Sequence, residues 1–188
     1  MNVMETRVQE YGPAWEGQEK GKTISIFCAG YLPKEEPQQE QVRTIETLFK
    51  ACDAVMDSNN VSDPVHDFNL YVTNDKAEAI TGIKEISPDI ALINGVMWPY
   101  DPDTMDGVEG VIVPLRNQGY GGRIVCLTED LRDKAERKFA ITNGADETIS
   151  VLPFHRQEPY TIGSEIMWAL SVPQRDYSQL EGFGSEAA

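Results

Sequence analysis

Pro88 to Trp98, reading PDIALINGVMW, is the stretch that decides the fold. Ile90, Ala91, Leu92 and Ile93 form an apolar run with no polar alternation, the pattern of a strand buried on both faces of a parallel sheet. Pro88 stops any helix that precedes it, because its ring clashes with helical geometry. Asn94-Gly95 is a turn-forming pair and ends the strand. In an open α/β sheet, ligands and chemistry gather at the carboxyl ends of the central strands. Asn94 therefore stands where a functional residue is expected, and it is a carboxamide rather than an acid.

Working outward, strands and helices alternate. Upstream, Thr23–Cys28 (TISIFC) reads as a strand, and residues 35–57 read as a long helix with Val42, Ile45, Leu48, Phe49, Cys52, Val55 and Met56 on one stripe. Phe68–Thr73 (FNLYVT) alternates apolar and polar, as an edge strand does. Lys76–Ile86 reads as a helix capped by Asn74 or Asp75, with Ala77, Ile80 and Ile83 inward. Downstream, a helix starts near Met105 or Asp106, with Val108, Val111, Ile112 and Leu115 on one face. Arg123–Leu127 is a strand ending at Thr128. Leu131–Thr142 is a helix with Leu131, Ala135 and Phe139 inward, stopped by Asn143-Gly144. Glu147–Val151 is a strand, and Thr161–Ser171 a last helix with Ile162, Ile166 and Leu170 inward. Five strand–helix repeats imply a parallel sheet with helices on both faces and right-handed crossovers.

Residues 1–21 are polar and without periodicity, so they read as an N-terminal extension; residues 22–171 form the domain; residues 172–188 read as a mobile C-terminal tail. The 188 residues carry a net charge of −15. Such a field repels phosphate backbones and anionic lipid, which argues against nucleic-acid and membrane partners. No apolar run reaches the length of about 18 residues needed to span a bilayer. Cys28, Cys52 and Cys126 sit in apolar contexts at spacings no zinc site uses, so they read as buried reduced thiols, which suits the cytoplasm.

Four pieces in order, PDIALI, Met105-Asp106-Gly107, Leu127-Thr128 and Asn143-Gly144-Ala145-Asp146, resemble the receiver domain of two-component response regulators. The resemblance runs from about Thr23 to Ser171. It implies a flavodoxin-like, doubly wound five-stranded parallel sheet of order 2-1-3-4-5, and a place in a signalling system. In that family an aspartate ends the third strand and accepts a phosphoryl group. Two acids after the first strand help hold magnesium, a threonine or serine ends the fourth strand, and a lysine follows the fifth. The chemistry needs those types: a hard cation wants carboxylate oxygens, the carboxylate is the nucleophile, and lysine and metal neutralise the transferred charge.

This chain departs from the pattern. The acid pair falls on Cys28 and Ala29, the acceptor on Asn94, and the lysine on Leu152 or Val151; Thr128 remains. A carboxamide is no phosphoryl acceptor, and a thiol with a methyl offers magnesium no hard ligand. The expectation is a degenerate pocket of Cys28, Ala29, Asn94, Thr128 and Leu152, with no catalysis, no metal and no cofactor. Asn94 is expected either to hydrogen-bond Thr128 and hold the domain in one fixed state or merely to end its strand, and Asn94-Gly95 is also a sequence prone to deamidation. The loop after Asn94 is longer than the family's usual one, and its Trp98, Tyr100, Asp101 and Asp103 either cover the pocket, anchor a partner, or rebuild a ligand site. The resemblance places partner or homodimer contacts on the face of the fourth helix, fifth strand and fifth helix, around Arg132, Arg137, Thr161 and Trp168. The alternative is a small-ligand or metal pocket at the switch point, lined by Cys28, Asn94, Trp98 and Thr128.

Overall fold

A computed structural model describes residues 4–7, 24–30, 68–97, 105–128, 134–151, 159–174 and 177. The helix expected over residues 35–57 lies outside them, as do Cys52, Trp98, Tyr100, Asp101, Asp103, Arg132 and Leu152. Strands β1 (Met4–Arg7), β2 (Ile24–Ala29), β3 (Phe68–Thr73), β4 (Ile90–Asn94), β5 (Ile124–Thr128) and β6 (Glu147–Ser150) form one sheet in the order β1-β3-β2-β4-β5-β6. Counted from β2, the five parallel strands stand in the expected 2-1-3-4-5 order. The parallel steps set Cys28 beside Leu92, Asn94 beside Leu127 and Thr128 beside Ser150.

The sixth strand comes from the stretch read as an extension. Met4–Arg7 runs antiparallel to β3, pairing Met4 with Val72 and Arg7 with Asn69. METR has neither an apolar run nor β-branched enrichment, so its backbone pairing left no mark in side-chain pattern. β3 is consequently flanked on both sides, by β1 and β2, and is not the edge its alternation suggested.

Side-chain alternation divides the core into two layers. Ile24, Ile26, Leu70, Ile90, Leu92, Val125, Leu127 and Ile149 pack on one face with Ile166 and Ala169 of α4 (Pro159–Ser171). Phe27, Ala91, Ile93, Ile124 and Cys126 pack on the other. There they meet Ala79 and Ile83 of α1 (Lys76–Ile86), Val108, Val111, Ile112 and Leu115 of α2 (residues 108–117), and Ala140 of α3 (Lys134–Thr142). β4 is buried throughout Ile90–Ile93, as its unbroken apolar run requires.

α3 sits rotated from its expected face, whereas α1 keeps Ile80 and Ile83 on the core and departs at Ala77. In α1, Ala77 is exposed, Ala79 and Ile83 are buried, and Gly82 lies so close to Phe27 that a β-carbon would meet its ring at 2.7 Å. In α3, Ala135 and Phe139 are exposed and Ala140 faces the sheet, with Glu136 half-buried one turn before it. α3 takes its rotation from the fit of Ala140 and the half-buried Ile141 to the core rather than from its largest side chain, Phe139.

α2 begins with π geometry over Val108–Ile112, and the Val113 N–H donates to the Val108 carbonyl five residues back. Pro114 explains this. It has no N–H to give the Gly110 carbonyl and its ring crowds that turn, so the helix widens just before it.

Candidate functional site

The carboxyl ends of β2, β4 and β5 are adjacent, so Cys28 and Ala29, Asn94 and Thr128 gather at one rim of the sheet, as the sequence implied. Asn94 is half-buried and its amide is engaged at both ends. Its Nδ2–H donates to the Gly30 carbonyl at 3.0 Å, and its Oδ1 accepts from the Val96 N–H at 3.3 Å. The second contact is a local turn of the kind short polar side chains favour. The first ties the end of β4 to the end of β2. Asn94 thus bridges the two strands, and it bonds Gly30 rather than Thr128. The Thr128 Oγ1 is buried and has no hydrogen-bond partner among the described residues.

Above Ala29, Gly30 turns at φ +74°, and a β-carbon there would lie 2.5 Å from the Met97 Cγ. Met97 is buried and fills this space. Its N–H donates to Asp106 Oδ1 at 2.7 Å, while Asp106 Oδ2 is paired with Lys76 Nζ from the first turn of α1. Gly107 follows, its N–H donating to the Gly95 carbonyl at 2.9 Å. A β-carbon on Gly107 would stand 1.9 Å from the Asn94 carbonyl oxygen. The Met105-Asp106-Gly107 motif is therefore explained by geometry: the acid holds the returning loop and the glycine lets α2 start against the end of β4.

The residues here do not fit a magnesium ion. Cys28 is a buried thiol, Ala29 a methyl group, and Asn94 turns its amide N–H toward a carbonyl. Among the described residues, no group of three or more His, Cys, Asp or Glu side chains is placed to hold a metal. Cys126, one layer below, is inert as well; burial, with Glu136 adding a smaller push, raises its thiol to about 12.

Sequence reasoning missed the best-formed polar cluster, at the opposite end of the sheet. The Arg116 side chain is fully buried and pairs with Asp146 at 2.9 Å. Its Nε–H donates to the Gly144 carbonyl at 2.8 Å, and its other N–H groups to the Tyr120 and Gly122 carbonyls at 2.7 and 2.8 Å. Asp146 also accepts the Ile124 N–H at 2.8 Å. The signal was present in Asn143-Gly144-Ala145-Asp146: the glycine takes φ +109° and the aspartate caps the start of β5. Asp89 of PDIALI plays a similar part, accepting the Ser25 N–H and hydroxyl at 2.8 and 3.0 Å.

On the face formed by α3, β6 and α4, Trp168 is 45% exposed and Phe139 36%. Lys134, Arg137 and Lys138 are also exposed, with Arg137 paired to Glu147 at 3.0 Å; Thr161 is half-buried. No helix among the described residues is long and apolar enough to cross a membrane.

No protein-family model and no curated protein matches the chain. Solved structures do. A LuxR-family response regulator from Aurantimonas sp. SI85-9A1 superposes with a TM-score of 0.53 at 17% identity, over 84% of this chain and 91% of that one. The response regulator domain of Thermotoga maritima CheB is similar over 81% and 99%, at 18% identity and a TM-score of 0.48. The receiver domain of Klebsiella pneumoniae RstA covers 79% and 99%, at 19% identity and a TM-score of 0.49. With the strand order and the rim at the ends of β2, β4 and β5, this likeness identifies the architecture: the chain has the fold of a response-regulator receiver domain.

Proposed function

We propose that the chain is a pseudo-receiver: a cytoplasmic, non-enzymatic signalling module that acts through protein contacts and does not transfer phosphoryl groups. The observation that carries this reading is the amide of Asn94, bonded to Gly30 and Val96 at the position where the family has its acceptor aspartate. The amide oxygen is uncharged and already accepts the Val96 N–H, so it is no nucleophile for a phosphoryl group. The buried Cys28 and Ala29 give no carboxylate for a metal, and Met97 fills the space above them.

Partner or homodimer contacts are assigned to the α3–β6–α4 face. The exposed Trp168 and Phe139 are aromatic anchors of the kind enriched at interface hot spots. The exposed bases of α3, on a chain of net charge −15, suit a partner bearing local acid.

The test has two arms. The protein is incubated with magnesium and a small phosphodonor, and its intact mass is read; no phosphoryl adduct is expected, and a stoichiometric adduct removed by Thr128→Ala or by metal chelation would sink the reading. Separately, the mass in solution is followed against concentration for the native chain and Trp168→Ala. Self-association weakened by the substitution supports the homodimer. A monomer throughout would rule out the homodimer.

A second reading keeps the rim as a small-ligand site. It draws on the unpartnered Thr128 hydroxyl. A saturable thermal shift with nucleotides or metal ions, lost in Thr128→Val, would favour it over the first.

A further inference from the structure

At the amino ends of the strands, the base of the domain, a cleft of about 350 Å³ lies between the end of α1 and the turn that joins α2 to β5. Lys84, Ser87 and Pro88 form one wall, and residues 118–122 form the other. Its volume falls within the range of small-molecule sites. None of the described residues lining it is acidic, on a chain with 31 aspartates and glutamates.

The cleft carries a set of donors. Lys84 Nζ donates to Gln118 Oε1 at 2.8 Å, and no carboxylate among the described residues pairs with it. Arg116 draws the Tyr120 carbonyl inward at 2.7 Å. The C=O and N–H of one trans peptide point opposite ways, so the Gly121 N–H faces away from the core. The Gly121 carbonyl takes the Gln174 amide, which by the same geometry turns the Gly122 N–H away from that side chain. Neither N–H has an acceptor among the described residues, and nothing stands within 4 Å of where a Gly121 β-carbon would lie. Ser87 takes φ +47°, the left-handed region where glycine is the ordinary residue, and sets an exposed hydroxyl on the lip of the cleft. The carbonyls that end the two helices are occupied. That of Ile83 accepts the Ser87 N–H, and those of Pro114, Leu115 and Arg116 accept from Gln118, Tyr120 and Gly119.

We propose that this cleft binds a small hydroxylated monocarboxylate, with its carboxylate between Lys84 and the Gly121 and Gly122 N–H groups. Charge favours a carboxylate over a phosphate. One cation lines the cleft, and α1 and α2 present it with their carboxyl ends, so no helix amino terminus is there to hold a second negative charge. Apart from Pro88 and the Tyr120 ring, the lining is ammonium, hydroxyl, amide and bare backbone, which suits a body bearing hydroxyls.

Titration of the isotope-labelled full chain with sodium gluconate at fixed ionic strength tests this, read at the amide resonances of Gly121 and Gly122. Saturable shifts at both are expected. Sorbitol, a similar hydroxylated body without the charge, should leave them in place. Lys84→Ala is expected to weaken gluconate binding by roughly ten- to hundred-fold, with the urea unfolding midpoint unchanged because the side chain is exposed. Lys138→Ala, which removes an exposed cation from α3, should bind as the native chain does. Absent or unsaturable shifts, equal shifts with sorbitol, or native affinity in Lys84→Ala would overturn the proposal. Tighter binding of inorganic phosphate than of gluconate would overturn the assignment to a carboxylate.

Discussion

Asn94 does with an amide what an acid at that position cannot do. The Gly30 carbonyl needs a donor, and an aspartate would set a carboxylate oxygen against it. Asn94→Asp should therefore destabilise the fold by about 1–3 kcal/mol, read as a lower urea midpoint at unchanged slope. The same local geometry bears on deamidation. That reaction needs the Gly95 nitrogen to attack the Asn94 side-chain carbonyl, and in the folded chain the Gly95 N–H is held by the Leu127 carbonyl at 2.8 Å. Mass gain at Asn94 should be negligible in aged native protein and appear in protein aged in urea; equal rates in both would refute the protection. The identity of the rim residues was legible because strand order alone puts Cys28, Ala29, Asn94 and Thr128 together. Their bonding was not, since a choice between Gly30 and Thr128 as partner depends on a loop path that residue types do not encode.

The α2 start shows what an element requires of its neighbours. Gly107→Ala would drive a β-carbon into the Asn94 carbonyl, which belongs to rigid backbone, so a loss of about 3 kcal/mol or more is expected by chemical denaturation. At the other end, Asp146→Ala would strand the buried Arg116 charge and the Ile124 N–H, at a cost of about 3–5 kcal/mol. A loss under ~1 kcal/mol would show that water reaches Arg116. The apolar stripes of β4 and α2 were readable because every position on the face is apolar. α3 was misread by one position because its contact is made by Ala140 and the partly buried Ile141 rather than by the larger Phe139. The π turn was readable in principle from Pro114, a helix breaker inside an apolar period.

Across the whole molecule, acidity sets a pH dependence with a defined sign. Burial raises the Glu165 carboxyl above its usual value of 4.5. The folded state then holds the proton more tightly than the unfolded state. Stability contributed by this group is present in acid and is lost as pH rises from about 4.5 through the raised folded value. Glu165→Gln should thus unfold at a higher temperature than the native chain near neutrality. The gap should close below the ordinary carboxylate pKa, and a constant gap at all pH would assign the effect to packing. The tail also changes character at this scale. Polar composition suggested mobility, whereas its first residues are joined to the base by contacts with Arg116, Gly121 and Arg123, partners too distant in sequence to be inferred from the tail itself.

β1 has a consequence for handling the protein. Met4–Arg7 occupies the outer hydrogen-bonding row of β3, whose FNLYVT sequence is rich in aromatic and β-branched residues. Without those four residues that row becomes an open template on which a second molecule can lay its own strand, the route by which sheets grow into aggregates. A trimmed amino terminus should leave the five parallel strands in place yet make the preparation cloud on concentration, so a fusion tag belongs ahead of Met1 and not in its stead.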